Sequence, residues 1–202
     1  MIKAKQNPLA VAFFKKYFAW QIKKHFSCVK ILGNINIDSN KPILLLGNHY
    51  SWWDGPLMFY LNNKVFKKRF YVMMLEETLS KNKILSQAGA FSIKRQSRGV
   101  VESLQYAAGL LKNSKNLLCL YPQGEFESQY KDNLKFHTGF TKVVNADTEI
   151  IFATVLTEYY SRKKPQAYIY LKKHQGEYTP EDLEKAFQEH HLASKNAERP
   201  PF

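Results

Sequence analysis

The sequence predicts one α/β domain, a mostly parallel or mixed central sheet flanked by helices, with an amphipathic helix at its N-terminus. Three observations carry this. Short apolar runs alternate with segments of helical period, and strands interleaved with helices build a largely parallel sheet. The 202 residues suit one domain with a real core, and the 45% hydrophobic and 14% aromatic shares argue for a folded globule. No internal repeat or linker interrupts the chain, which divides into a helix over 1–26 and a domain over 27–202.

Residues 9–26, LAVAFFKKYFAWQIKKHF, carry apolar residues over a wide helical arc, with Lys15, Lys16 and Lys23 in the remainder. Two placements fit equally: a membrane interface, which suits a basic helix rich in Trp and Phe, or the protein's own core. SCVKILGNINI (27–37) and KPILLLG (41–47) read as strands with IDSN as the turn between them. A helix follows Pro56. RFYVMML (69–75) and GAFSI (89–93) are strands, and residues 98–113 have helical period. NLLCLYP (116–122) is a strand ended by proline, and 148–160 and 166–173 are two more. The last helix begins at Thr179, with Pro180 at its first position and Glu181 and Asp182 in its first turn. After Ala193 the tail reads as frayed.

Thirty Lys and Arg against seventeen Asp and Glu give a net charge of +13, which implies an anionic partner. Nucleic acid, an anionic membrane and a phosphorylated substrate all satisfy it. Cations and aromatics interleave at 64–70 and 161–166, as they do in single-strand binders, but no RNA-recognition, KH or helix-turn-helix signature is visible. Nucleic acid is therefore not the expected partner. Cys28 and Cys119, the two cysteines, read as buried free thiols of a reducing compartment, with no zinc-like cluster. No run reaches the roughly 18 apolar residues of a membrane span, and no signal-peptide pattern opens the chain. A cytoplasmic protein, peripheral on the inner face of the membrane, is the expectation.

The chemistry-bearing stretch is LLLGNHYSWWDGPL (44–57). Residues five apart on one helix lie about 140° apart, so His49 and Asp54 meet only with the histidine on the loop and the aspartate at the helix start. Asp-Gly-Pro suits such a start, with Asp54 as N-cap. From there the carboxylate can accept the Nδ1 proton of His49, leaving Nε2 free to take a proton from a hydroxyl. The plainer alternative is a cap and an ordinary loop histidine. Two later strand ends add weight: GAFSIKR (89–95) closes on Lys94 and Arg95, and LYPQGE (120–125) on Pro122, Gln123 and Gly124. In α/β sheets, ligands bind beyond the carboxyl ends of the strands.

These blocks resemble those of the glycerolipid acyltransferases, which include 1-acylglycerol-3-phosphate and lysophospholipid acyltransferases. NHYSWWD (48–54) matches the family's Asn-His, four residues, Asp signature. GAFSIKR matches its second block, YPQG (121–124) echoes its Phe-Pro-Glu-Gly, and IIFATV (150–155) loosely echoes its fourth. The resemblance spans roughly 27–156 and implies a glycerol-3-phosphate acyltransferase-like fold and an O-acyltransferase. It implies His49 as general base and Asp54 as its orienting acid. An acyl-CoA or acyl carrier protein is the implied donor, a lysolipid the acceptor, and no metal or bound cofactor is needed. Lys94 and Arg95 would hold phosphate, with Pro122, Gln123 and Gly124 beside the substrate. Trp52 and Trp53 would line the lipid entrance, although packing beneath the loop suits at least one of them. Gln123 stands where the family has glutamate, and Glu125-Phe126 where it has Thr-Arg. Those departures point towards an acceptor without a phosphate monoester, such as an aminoacyl lipid or glycolipid. A non-catalytic basic lipid- or nucleic-acid-binding protein is the alternative from another class.

Overall fold

The computed structural model describes residues 1–94 and 97–197. Among these, seven strands form one sheet: β1 (Cys28–Leu32), β2 (Ile43–Gly47), β3 (Arg69–Leu75), β4 (Ala90–Ile93), β5 (Asn116–Leu120), β6 (Glu149–Glu158) and β7 (Gln166–Lys173). Their spatial order is β1-β7-β6-β2-β5-β3-β4, and only the β6–β7 pair is antiparallel. The flanking helices are α1 (Pro8–His25), α2 (Asp54–Leu61), α3 (Glu76–Lys81), α4 (Ser97–Leu110) and α5 (Pro180–Ala197).

β2 and β5 are buried at every residue, because helices cover both faces of the sheet. Side chains alternate between two cores. Ile43 and Leu45 of β2, Cys119 of β5 and Ile151 of β6 pack with Phe14, Phe18 and Ile22 of α1 and Leu57 of α2. Leu44, Leu46, Leu118 and Phe152 point the other way, onto Leu104 and Ala107 of α4 and Leu183 and Phe187 of α5. This two-sided burial is why the central strands read as unbroken apolar runs.

Three expectations need correction. The turn at 38–41 joins no hairpin: β1 pairs with β7 at the sheet edge, while β2 lies between β5 and β6. Local turn chemistry specifies a reversal, not which strand becomes the neighbour. β1 also stops at Leu32, where its register with Tyr170 ends. Finally, α5 continues to Ala197 instead of fraying after Ala193. Its last turns are tied down from outside the helix, since Ser194 is buried and Lys195 donates to the Tyr130 carbonyl (2.8 Å) and pairs with Asp132.

Helix α1 settles against the core through Phe14, Phe18 and Ile22, a stripe at four-residue spacing. Asn7 caps it by accepting from the Leu9 and Ala10 amides. The opposite face, roughly 180° around, carries Leu9, Phe13 and Trp20, which are 82%, 57% and 56% exposed. The breadth of the apolar arc is thus two separate stripes, only one of which the core covers.

Helix α5 holds two buried histidines. His190 donates from Nε2 to the Tyr170 carbonyl (3.1 Å) and packs beside Phe152 and Phe187. Burial pushes its pKa down to about 4, against the hydrogen bond to Tyr170, which raises it; Lys172 and His191 lower it further. The fold therefore holds the neutral ring. This contribution is fully present above the ordinary value near 6.5 and is lost as the pH falls from there to about 4. The shift corresponds to roughly 3 kcal/mol. Urea unfolding should thus show a loss of about that size between pH 7 and pH 4 that His190→Gln reduces. An identical pH dependence in wild type and variant would count against it.

Candidate active site

The sheet's order places the site. From β2 the chain crosses through α2 towards β3 on one side; from β5 it crosses on the opposite face to β6 on the other side. The carboxyl ends of β2 and β5 are thus neighbours whose connections leave in opposite directions on opposite faces, the usual ligand position in such sheets. His49 leaves β2 there, and Tyr121 to Gly124 leave β5.

Asp54 is wholly buried, and its carboxylate gathers the preceding loop. Oδ2 lies 2.8 Å from His49 Nδ1 and accepts from the Tyr50 (2.8 Å) and Ser51 (3.0 Å) amides, while Oδ1 accepts from the Ser51 hydroxyl (3.2 Å). A buried carboxylate without such partners would be strongly disfavoured. Asp54 is the first residue of α2 and not its N-cap, since the preceding residue Trp53 already has helical angles. The side chain turns back to the loop instead of capping the helix, and its charge sits favourably at the helix N-terminus. Because a carboxylate only accepts, Nδ1 of His49 carries the proton and Nε2 is left as the base.

Two aromatic rings bracket the imidazole. Tyr121 stacks on one side at 4.3 Å and 17°, and Phe126 leans on it at 4.1 Å and 34°. Phe126 is 60% exposed, so it forms the solvent side of the site. Tyr121 reaches its position because Gly47 has no side chain: a Cβ there would lie 3.1 Å from the Tyr121 ring and 2.9 Å from Met58. Burial raises the Tyr121 phenol well above its usual pKa, so the ring acts as a neutral wall.

Asn48 locks the end of β2. Its amide donates to the Val155 carbonyl (2.9 Å) and accepts from the Val155 amide (2.8 Å), imitating one more step of the β2–β6 ladder. Tyr50 bonds Thr157 on the same strand, whose backbone is also held by both ends of the Gln129 amide.

The other expected residues fall into distinct places. Trp52 is 61% exposed at the mouth, whereas Trp53 packs edge-on against Phe26 at 5.0 Å and beside His25 at 5.2 Å, which joins the loop to the end of α1. Lys94 follows β4, which lies three strand spacings or about 14 Å from β2. It pairs with Glu76 at 3.3 Å. Arg95 lies outside the described residues. Gly89, which opens that block, adopts φ +107°, with the Phe70 carbonyl 2.0 Å from where a Cβ would stand. Pro122 is buried, the Gly124 amide closes the turn by donating a hydrogen bond to the Tyr121 carbonyl (3.0 Å), and Gln123 is buried, with 4% exposure. Both ends of the Gln123 side-chain amide are hydrogen-bonded to protein groups, the His49 amide and the Glu127 carboxylate. Asn48, Tyr121 and Phe126 were not singled out as site residues from sequence, although Asn48 sits within the quoted motif.

An α/β domain with an Asp-paired histidine beyond the carboxyl ends of its strands has the arrangement of an enzyme that works through a histidine base. The chain belongs to the acyltransferase family, whose profile matches residues 28–156, and it is an O-acyltransferase. No curated protein gives a significant match. Among solved structures, the 1-acyl-sn-glycerophosphate (LPA) acyltransferase PlsC from Thermotoga maritima superposes with a TM-score of 0.67 at 16% identity, covering 95% of this chain and 81% of that one. At that identity the likeness is one of fold.

His49→Ala should abolish acyl transfer while changing the melting temperature by no more than about 4 °C. Asp54→Asn removes the charge that stabilises the imidazolium and should lower kcat about a thousandfold. Turnover near wild type in purified His49→Ala would exclude this base.

Proposed function

We propose that the protein transfers a fatty acyl group from an acyl thioester, acyl-CoA or acyl carrier protein, to a hydroxyl of a lysolipid at a membrane surface. The single observation that carries this reading is the His49–Asp54 pair, held with Nε2 as its free base edge between two aromatic rings. Nε2 takes the acceptor's hydroxyl proton as its oxygen attacks the thioester carbonyl. The tetrahedral intermediate collapses by breaking the C–S bond, and His49 returns the proton to the leaving thiolate. Asp54 stabilises the imidazolium between these steps. No covalent acyl-enzyme and no bound cofactor enter this scheme.

The surface supports attachment to an anionic membrane on the inner face. No helix among the described residues is long and apolar enough to cross a membrane. The outward stripe of α1, Leu9, Phe13 and Trp20, is flanked by Lys16, Lys23 and Lys24, the last with its ammonium 5.1 Å from the Trp20 ring. Such a helix lies in an interface, with each lysine contributing about 1 kcal/mol. Vesicle flotation tests this. Combined Leu9→Ser, Phe13→Ser and Trp20→Ser should leave the fold intact and reduce binding to phosphatidylglycerol vesicles, and added salt should weaken the wild type. Undiminished flotation of the triple variant would remove α1 from the membrane contact.

A specific observation bears on the acceptor. Phe126, at the sequence position where the resemblance implies an arginine, lies on the solvent side of His49, and Lys94 is already paired with Glu76. Acceptors with neutral, zwitterionic or sugar head groups are therefore favoured over phosphate monoesters. In a lysolipid panel, Phe126→Arg should raise the use of lysophosphatidic acid relative to the others by roughly tenfold or more, the worth of one charge-assisted contact. A wild-type preference for lysophosphatidic acid would overturn this preference while leaving acyl transfer standing.

A further inference from the structure

The loop that follows β5 grips the backbone of His49 from both ends. The His49 amide donates to Gln123 Oε1 (2.7 Å), and the His49 carbonyl accepts from the Glu127 amide (2.8 Å). The circuit closes through side chains. Gln123 Nε2 donates to Glu127 Oε2 (2.5 Å), and Glu127 Oε1 pairs with Lys131.

The chemistry of each partner dictates which residue type fits. A backbone amide only donates and a carboxylate only accepts, so the side chain between them must offer one acceptor and one donor. Glutamine does so. An ionised glutamate at 123 would satisfy the His49 amide but turn its second oxygen onto the Glu127 carboxylate. Hydrogen bonds from Lys131 and Gln123 hold the Glu127 carboxyl below the usual carboxylate range, although burial works to raise it. Glu127 is thus the charged member of the pair.

We propose that Gln123 and Glu127 are a matched positioning pair that sets the His49 peptide, and through it the base, for catalysis. The glutamine at a position where the family carries an acid is then compensated by an acid four residues on, and it does not read the acceptor's head group. Lys131 anchors the pair at the rim.

This inference rests on the acyl-transfer reading for its kinetic test. With acyl-CoA and the preferred lysolipid, Gln123→Glu should lower kcat roughly ten- to a hundredfold at about pH 8, as expected when a buried group loses its partner and faces a like charge. The KM for both substrates should stay within about twofold, and the ratio of the variant's kcat to that of the wild type should rise towards acid pH as the two carboxyls come to share a proton. Adding Glu127→Gln restores one donor and one acceptor between the two residues and should bring kcat back to within about threefold of wild type. A double variant no better than Gln123→Glu, a fully active Gln123→Glu at pH 8, or a loss confined to the acceptor's KM would overturn the proposal. If Gln123→Glu does not fold, a folded and active double variant upholds the pairing and an unfolded one overturns it. Hydrogen exchange of the peptide spanning 47–54 needs no turnover: exchange should quicken in Gln123→Glu and slow again in the double variant, and unchanged exchange would overturn the clamp. If the wild type transfers no acyl group to any acceptor, the functional reading fails and the exchange measurement alone decides the pair.

Discussion

The buried carboxylate of Asp54 is the constraint on which the site depends. One side chain accepts from two loop amides, a hydroxyl and the His49 imidazole, so the fold of the loop and the tautomer of the ring are fixed together. Burying that charge would be costly in isolation, and the loop's donors and the start of α2 offset it. The five-residue interval between His49 and Asp54 follows from this. It is the length of chain needed to leave β2, turn, and bring a first-turn carboxylate back under the loop it closes.

Around this centre the second constraint is the sheet itself. Because β5 inserts between β2 and β3, the histidine after β2 and the turn after β5 meet across a single strand spacing. The grip of Gln123 and Glu127 on the His49 peptide is possible only with that adjacency. Asn48 performs the corresponding task towards β6, so the loop is held on both flanks by hydrogen bonds to neighbouring strands and loops. Beyond these anchors, the loop after β5 is itself pinned to α5, where Gln188 donates to the Leu134 carbonyl (2.8 Å) and Glu184 accepts from the Phe136 amide (2.8 Å). This helix lies outside the family-matched stretch yet supports the wall of the site.

The apolar and basic character of the surface follows a different logic. Helix α1 uses one stripe for the core and leaves a second one in solvent, while Phe26 and Trp53 connect its end to the catalytic loop. Aromatic contacts run from Phe26, at the end of α1, through Trp53 to the exposed Trp52. The net charge of +13 and the exposed aromatic stripe are the two features on which the proposed membrane contact rests, the first as a long-range attraction and the second as the short-range contact.

Much of this was determined by the sequence alone. Burial on both faces writes central strands as continuous apolar runs, so β2, β5 and β6 were legible. The pairing of His49 with Asp54 followed from their interval and from Asp-Gly-Pro opening a helix, because both partners are local in the chain. What only the tertiary structure decided is non-local. Strand order made β7 and not β2 the neighbour of β1, since the turn read between the two strands specifies reversal and not partnership. The short helical turns at 62–66, 83–88 and 138–143 carry too few residues to show a period. Gln123 read as a weakened substrate contact because its partners, the His49 amide and the Glu127 carboxylate, are brought to it by folding. Phe126 read as a missing cation, and only the folded loop lays its ring on the imidazole. The physical reason is the same throughout: periodicity and caps report on neighbours a few residues apart, whereas hydrogen bonds across the sheet's carboxyl ends join residues some seventy positions apart.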